Sequence, residues 1–546
     1  MTSARTLLAA ALENAVRGLG VEGEIPDLEL TRSRNPVHGD FSSSAGMKLA
    51  RALRRAPDQI ARELAAAVEI PDGAASAEAA GGYLNFRLSP AWLRALVARV
   101  AEEGSSYGSS DLGRGERVQV EYLSTNPTGP LHIGHGRGAI LGDSLSTLLG
   151  FTGHRVEREY YVNDYGTQAR KFGASILARL KGEEPPDGGY RGDYVNVLAE
   201  EARAASLPET EEALAAFGLA RMVERFQAEL ERLGVTYDSW YSERALWEKG
   251  DAPLAVERLR EGGFLTERDG AVWFAPAVDE EGGEEDHRVV FRSNGEHTYF
   301  ASDLGYLLNR FERRGYERVI EVWGADHHGY VPRMKQAAEA LGIDPARLVV
   351  ILNQFVTLKE GKMSKRAGRF VTLAELIDVV GPDAVRWFYL SRSPDTMMEF
   401  DLELATTQNR TNPVYYVQYA HARLSGIERT AASRELPAKA DTSLLEHPWE
   451  LDLARQLAHW PDTVAEAARL MEPHRVPYYL YELADRVSAF YEAGNDNGSF
   501  RAVVDDPALT RARLELCRAA RATLRSGLDL VGVSAPDRMD RISEEA

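Results

Sequence analysis

Cysteine is almost absent: Cys517 is the only one in 546 residues. A lone thiol excludes a disulfide framework and a thiolate zinc site, and it fits a reducing compartment. No stretch is long and apolar enough to cross a bilayer, and the opening residues lack the basic-then-apolar pattern of a secretory leader. The expectation is a cytoplasmic protein without a membrane partner. Internal repeats and low-complexity tails are also missing. Positive charge is in deficit, with 64 Lys and Arg against 83 Asp and Glu and a formal charge of −19. That speaks against a uniformly basic nucleic-acid binder, although net charge does not fix local potential. The 44% apolar content is enough for real cores, and the length calls for several domains.

Two motifs stand out against this background. The first is Leu131-His132-Ile133-Gly134-His135-Gly136. Before it, Val118, Val120 and Tyr122 alternate with polar residues as in a strand, and Ser124 to Pro130 carries two prolines and a glycine that permit a tight turn. After it, Leu141, Leu145 and Leu148 recur at helical spacing. The motif therefore sits at a strand-loop-helix junction, whose first helical turn is expected to offer unpaired N–H groups to an anion. His132 and His135 share a face there and are suited to donate to a triphosphate and to charge on a departing oxygen. Gly134 and Gly136 would let a base and ribose approach the backbone. A glycine-rich helix start with two buried, hydrogen-bonded histidines and no ligand is the bland alternative.

The second motif is Gly361-Lys362-Met363-Ser364-Lys365-Arg366. Lys359, Lys362, Lys365 and Arg366 fall within eight positions of an acidic chain, a density of like charge that repels itself unless an anion is present. Lysine suits moving phosphates, being a point charge on a flexible stem. Lys362 and Lys365 are candidates to hold the β and γ phosphates of ATP; a solvated basic loop is the alternative. Asp326, His327 and His328 raise a metal question. Adjacent residues rarely converge on one ion, and no further ligands lie near them in sequence, so no tightly held protein metal is expected. Mg²⁺ should arrive with ATP as a substrate complex.

Taken with their surroundings, these stretches resemble a class I aminoacyl-tRNA synthetase, and in detail the arginyl-tRNA synthetases, across essentially the whole chain. The matching segments include Glu121 to Gly136, Tyr161 to Gly166, Tyr299 to Asp303, Trp323 to Tyr330, Lys362 to Arg366, and Asn412 to Arg423. The resemblance implies ATP-dependent attachment of L-arginine to tRNA(Arg) through an arginyl-adenylate. It makes His132, His135, Lys362 and Lys365 the catalytic set. Gly134, Gly136, Asp326, His328, Met363 and Ser364 join them around ATP, while Glu121, Asn126, Tyr299, Asp303 and His327 surround arginine. The chemistry agrees: a guanidinium presents five donors in a planar fork and needs carboxylates and oxygen acceptors. Lysine would leave most of those acceptors unpaired, so a separate editing domain is not required.

The implied fold class is α/β: a Rossmann-like parallel-sheet catalytic domain, a small α+β N-terminal domain, and an all-α helical-bundle C-terminal domain that binds the anticodon. Residues 1–112 form the N-terminal domain, which the family uses at the tRNA elbow. Leu8, Leu12, Val16 and Leu19 make a helical stripe in it. Leu84, Phe86 and Leu88 face one side of a strand and Tyr83 and Asn85 the other, the latter two being candidates for an RNA base. Residues 113–375 form the catalytic domain, with Val319 to Trp323 and Leu348 to Leu352 as buried parallel strands. A connective insertion spans about 180–290, containing a helix from Leu219 to Leu233 and a solvated acidic run, Asp279 to Asp286. Residues 376–546 form the helical domain, where Tyr415, Gln418, Tyr419, Arg423 and Tyr491 are candidates for anticodon contact. A positive face is expected from Arg366, Arg369, Arg386 and Arg423. A monomer can span acceptor, elbow and anticodon. Rival readings are a class I synthetase for another amino acid, a nucleotidyltransferase forming a small adenylated product, and a noncatalytic RNA-binding protein.

Overall fold

The computed structural model describes residues 3–21, 23–33, 35–275, 288–359 and 372–539. By internal packing the chain divides into two units, residues 111–407 and residues 1–110 with 408–546.

The first unit is built on five parallel strands: β1 (Arg117–Tyr122), β2 (Arg155–Val162), β3 (Ser239–Ser242), β4 (Arg318–Gly324) and β5 (Leu348–Asn353). Their order across the sheet is β5-β4-β1-β2-β3. The chain runs outward from β1 in one direction and then in the other, so the order reverses between β1 and β4. Ligand crevices in open parallel sheets lie at such a reversal, beyond the carboxyl ends of the strands. Both faces of the sheet are covered, and β5 reads as an apolar run, whereas β1 and β2 alternate apolar residues with buried polar ones. Val118, Val120 and Tyr122 of β1 are buried on one face, where helix α1 (Ile133–Phe151) packs so closely that a Cβ on Gly142 would lie 2.1 Å from the Tyr122 ring. Elsewhere Val319 and Leu348 join Phe300, Leu304, Leu307 and Met334 in one apolar core.

The register aligns three acids. Glu121 sits opposite Glu321 on β4 and Glu159 on β2, a row of buried glutamates across the middle of the sheet. Two arginines compensate them. Arg310 donates to Glu121 at 3.1 Å and Glu321 at 2.5 Å, and Arg314 donates to Glu159 at 2.5 Å and Glu157 at 2.7 Å. Both belong to the segment that follows helix α2 (Tyr299–Leu308), where residues Asn309–Arg313 widen into a π turn. Such widened turns are frequent at functional sites. The packing of this unit continues through Thr407, beyond the expected limit at 375. The cause is visible in helix Pro382–Leu390, whose Arg386 is bonded to Asp143 of α1 at 2.5 Å and to the Leu233 carbonyl at 2.9 Å. Arg386 is 1% exposed, so it is not part of a positive surface, contrary to the sequence expectation.

In the second unit a four-stranded antiparallel sheet, in the order Thr31–Arg32, Phe41–Ser43, Tyr83–Leu88 and Ala75–Ala80, packs with short helices. Leu84, Phe86 and Leu88 are buried and Tyr83 is exposed, as alternation dictates. Five long helices follow from 413 to 530. The two sequence segments share contacts: Arg455 pairs with Asp40 at 2.7 Å, and Trp460 Nε1 donates to the Tyr107 carbonyl at 2.9 Å. Segments separated in sequence by the whole of the first unit thus pack together. Among the described residues no helix is long and apolar enough to cross a membrane.

Candidate active site

The first motif opens α1, and its histidines close the helix end themselves. His132 is the N-cap: its Nδ1 accepts from the Gly134 N–H at 3.1 Å, while the Nδ1 of His135 accepts from the His132 N–H at 3.2 Å. The His135 N–H is taken by the His132 carbonyl at 3.0 Å. The expected row of unpaired backbone donors is therefore largely engaged. With Nδ1 accepting, a neutral ring carries its proton on Nε2, and that imidazole N–H is what the turn has to offer. The rings stack with centroids 3.4 Å apart, and His135 Nε2 lies 3.3 Å from Thr125 Oγ1. Burial, and then the neighbouring His132, pushes His135 down to about 3; burial lowers His132 as well. Both are neutral donors near pH 7. Gly136 is buried, and a Cβ there would meet Leu373 Cδ1 at 2.6 Å, so packing accounts for its missing side chain. Gly134 has only the His132 ring within reach, at 3.1 Å.

The loop from β1 to α1 turns at a place composition did not mark. Leu123 and Ser124 both have positive φ, 72° and 30°, costly for side-chain-bearing residues and often found at functional sites. The turn is pinned where Ser124 Oγ accepts from the Tyr161 N–H at 3.0 Å and the Tyr160 hydroxyl donates to the Thr125 carbonyl at 2.7 Å. Asn126 is left exposed beyond it.

The acids lie at the same edge of the sheet. Glu121 is 7% exposed, and burial together with Glu321 pushes its carboxyl up while Arg310 opposes them. Tyr299, Asp303, Tyr306 and Arg310 follow one another at helical spacing and share a face of α2 and its extension. Asp303 is bonded to the hydroxyl of Tyr330, at the end of the turn Ala325–Tyr330 that leaves β4. Loss of water raises Asp303 to about 6, with Glu321 adding to it and the Tyr330 bond and the Arg310 charge opposing. No Lys, Arg or His among the described residues forms an ion pair with it. Asp326, His327 and His328 stand exposed on that same turn, with His328 Nδ1 3.1 Å from the Ala325 carbonyl and His327 Nε2 3.6 Å from Asp326. Among the described residues no group of three acids, histidines or cysteines could hold a metal.

Gly361, Lys362, Met363, Ser364, Lys365, Arg366 and Arg369 lie outside the described residues, as does the acidic run Asp279 to Asp286. The flanks of the lysine motif are described. Lys359 is paired with Asp401 at 2.7 Å, so it is not a free member of the cationic cluster. Thr372 pairs with His132, and the Leu373 N–H donates to the Leu131 carbonyl at 2.9 Å. The chain thus leaves the second motif alongside the first.

In the helical region Tyr415 and Tyr419 stack with centroids 6.5 Å apart. The Arg423 guanidinium lies 4.7 Å from the Tyr419 ring and 4.1 Å from Tyr491, giving a ladder of alternating planes. Gln418 is a correction: it is 8% exposed, with its amide donating to the Ser534 carbonyl at 3.0 Å, because its helix position turns it toward the C-terminal segment. Asn85 is partly buried and accepts from the Ser42 hydroxyl at 2.8 Å. Sequence reasoning passed over the buried acids Glu159 and Glu321 and the Arg310 that pairs with Glu121 and Glu321. The available signal was an acid inside an otherwise apolar strand, as in Val319-Ile320-Glu321-Val322.

This geometry agrees with the comparisons to known proteins. A family model described as tRNA synthetases class I (R), catalytic domain, matches residues 97–185 and 204–406. The architecture is therefore that of the class I aminoacyl-tRNA synthetases. A model for the arginyl tRNA synthetase N terminal domain matches residues 2–88, and one for the DALR anticodon binding domain matches residues 417–539. The chain is 44% identical over 560 residues to the arginine–tRNA ligase of Moorella thermoacetica, covering 97% of this chain and 98% of that protein. It is 42% identical to that of Bacillus subtilis, covering 96% of each. Among solved structures, arginyl-tRNA synthetase of Thermus thermophilus superposes with a TM-score of 0.80 at 25% identity, covering 98% of this chain and all of that one. The chain belongs to the arginyl-tRNA synthetase family.

Proposed function

We propose that this chain attaches L-arginine to tRNA(Arg) in the cytoplasm, as a monomer, through an arginyl-adenylate formed from ATP. The observation that carries this reading is Asp303, a half-buried carboxyl beside the strand-order reversal whose hydrogen-bonded partner is the Tyr330 phenol and which forms no ion pair among the described residues. An acid in that state is short of a positive partner, and a guanidinium supplies one with directed donors. Asp303 and Glu121 receive the guanidinium with the Tyr299 hydroxyl beside them; Asn126 and His327 take the α-amino end.

ATP lies over the start of α1 near Gly134, with Asp326 and His328 at its sugar and base. Gly136 seats the helix for it. One oxygen of the arginine carboxylate, ionised at neutral pH and needing no base, attacks the α phosphorus. The bond to the bridging oxygen breaks and pyrophosphate leaves. The Nε2–H groups of His132 and His135 face the charge gathering on that oxygen, and Lys362 and Lys365, with Met363 and Ser364 between them, hold the β and γ phosphates. Mg²⁺ comes with the nucleotide as part of the substrate. The terminal 2′-hydroxyl of the tRNA then attacks the adenylate carbonyl, and AMP departs. Residues 1–112 meet the elbow through Tyr83 and Asn85, the insertion at about 180–290 meets the acceptor end, and Tyr415, Tyr419, Arg423 and Tyr491 stack on anticodon bases.

Exchange of pyrophosphate into ATP tests the first step. Exchange should require arginine and, if the family habit of needing tRNA for activation holds here, should be nearly absent until tRNA is added. Exchange driven by another amino acid would overturn the reading; robust arginine-dependent exchange without RNA would remove only the tRNA requirement.

A further inference from the structure

The loop that carries Asn126 is fastened from two sides. Its first half is held by β2, where the Tyr161 N–H donates to Ser124 Oγ at 3.0 Å and the Tyr160 hydroxyl donates to the Thr125 carbonyl at 2.7 Å. Its second half folds on itself, the Thr128 N–H donating to the Asn126 carbonyl at 2.8 Å. Thr128 is 6% exposed, so its own carbonyl has little access to water and needs a donor from the protein. That donor is the Tyr194 hydroxyl, at 2.6 Å. Tyr194 lies 66 residues further along the chain, in the first turn of helix Asp193–Ala204 and so within the insertion. Among the described residues this is the one hydrogen bond that joins the insertion to the loop.

The surroundings of Tyr194 are shaped for this reach. A Cβ on Gly192, the residue before the helix, would lie 2.5 Å from the Tyr194 ring, so the ring leans over a position that has to be glycine. A Cβ on Gly129 would lie 3.5 Å from the hydroxyl oxygen, which puts the phenol against the turn itself. The ring neighbours Phe172 of helix Thr167–Leu180, with centroids 6.4 Å apart. The same helix grips the segment that leads into Tyr194: Ser175 Oγ accepts from the Tyr190 N–H at 2.9 Å, and Gln168 accepts from the Tyr190 hydroxyl at 2.6 Å. Behind Tyr194, Val195, Leu198, Ala199 and Ala202 are buried, so the hydroxyl projects from a seated helix. Burial, with Tyr190 adding to it, pushes the phenol up to about 12, which keeps its proton in place at neutral pH. The turn it holds begins with the positive φ of Leu123 and Ser124, and such backbone persists only where its surroundings over-determine it.

We propose that Tyr194 is a positioning residue for the amino acid: through the Thr128 carbonyl its hydroxyl fixes the turn from Asn126 to Gly129, and with it the direction in which the Asn126 side chain meets the α-amino group of the substrate. The link is short. Thr128 accepts from Tyr194 by its C=O and donates to Asn126 by its N–H, so each bond holds the next in place. Tyr194 acts on the α-amino half of arginine alone, because the acids that meet the guanidinium are carried by β1 and α2. This rests on the reading of Asn126 as the ligand of that half.

The test is Tyr194→Phe, which keeps the ring beside Phe172 and removes only the donor. It is assayed in steady-state charging of tRNA, varying L-arginine, ATP and tRNA separately, with desamino-arginine as a competitor. The expected result is an arginine KM raised about 3- to 10-fold, the effect of losing one neutral hydrogen bond, with the ATP KM unchanged. The inhibition constant of the desamino analogue, which has no α-amino group for Asn126 to hold, should not move. An unchanged arginine KM, or a shift shared equally by arginine and the analogue, overturns the proposal. A double-variant cycle gives a second reading: in an Asn126→Ala background Tyr194→Phe should add almost nothing to the arginine KM, and effects that multiply would be contrary. Should Tyr194→Phe not fold, Tyr194→Leu carries both measurements. Asn126→Ala with an unaltered arginine KM would remove the underlying reading of Asn126, an outcome distinct from a silent Tyr194→Phe beside an impaired Asn126→Ala.

Discussion

Asp303 holds its proton more tightly than an ordinary carboxyl, at about 6, because loss of water outweighs the Tyr330 hydrogen bond and the charge of Arg310. The sign of the consequence follows. A guanidinium favours the ionised acid, so arginine bound at Asp303 should release a proton and bind more strongly as pH rises through about 6, levelling above it. The arginine KM should be roughly tenfold higher near pH 5 than near pH 8, because a carboxyl with a pKa of about 6 is only about a tenth ionised one unit below it. A flat profile, measured with ATP and tRNA saturating, would contradict it. The same raised value means that the free protein gains stability from this acid at low pH and loses it as pH climbs through it. Replacing Asp303 by Asn keeps the shape and a bond to Tyr330 but removes the charge. Its arginine KM should rise roughly 10- to 100-fold, the loss of a charge-assisted hydrogen bond, with the ATP KM unmoved. The family pattern and the needs of a guanidinium made Glu121 and Asp303 legible as candidates. Arg310 was not, because its pairing with Glu121 and Glu321 joins residues far apart in sequence that only the fold brings together.

At the scale of elements, the turn into α1 shows how much a motif leaves unsaid. The strand, the loop and the helix follow from the pattern of Val118, Val120 and Tyr122, then proline and glycine, then Leu141, Leu145 and Leu148. Prolines and glycine also marked where the chain should bend, yet the left-handed residues are Leu123 and Ser124. Propensity cannot reveal this, since tertiary bonds from Tyr160 and Tyr161 hold those angles. The histidines satisfy the helix end with their ring Nδ1 atoms, and in the proposed reaction their Nε2–H groups have a second task toward the phosphates. His132→Asn should separate the two tasks, because asparagine caps a helix well but does not present the same outward N–H. The melting temperature should stay within a few degrees, while kcat should fall about 100-fold, the usual cost of one lost oxyanion donor. A large drop in stability with the remaining folded fraction fully active would assign His132 to structure alone. Since burial lowers both rings below the ordinary imidazole value, their titration should leave no inflection in the rate above neutral pH.

At the scale of the whole molecule, composition was a poor guide to charge placement and a fair guide to class. Arg386 was expected on a positive face and is instead sealed against Asp143, while Arg423 stands in a ladder with Tyr419 and Tyr491. The α/β middle and helical end were legible from periodicity and resemblance. The sharing of one unit by residues 1–110 and 408–546 was not, because it rests on contacts such as Asp40 with Arg455 that have no local signature. If the ladder stacks on RNA bases, Arg423→Ala should raise the tRNA KM about tenfold, within the range for one stacking partner, and leave the arginine and ATP KM values alone. The tRNA KM should also increase with salt as phosphate contacts are screened. The most direct measurement offers total tRNA all twenty amino acids singly, with ATP and Mg²⁺, and identifies the amino acid on each charged tRNA. Arginine alone, on tRNA(Arg) alone, is the expected result. Stable charging with any other amino acid, or none with arginine, would contradict the assignment of the acidic crevice to a guanidinium.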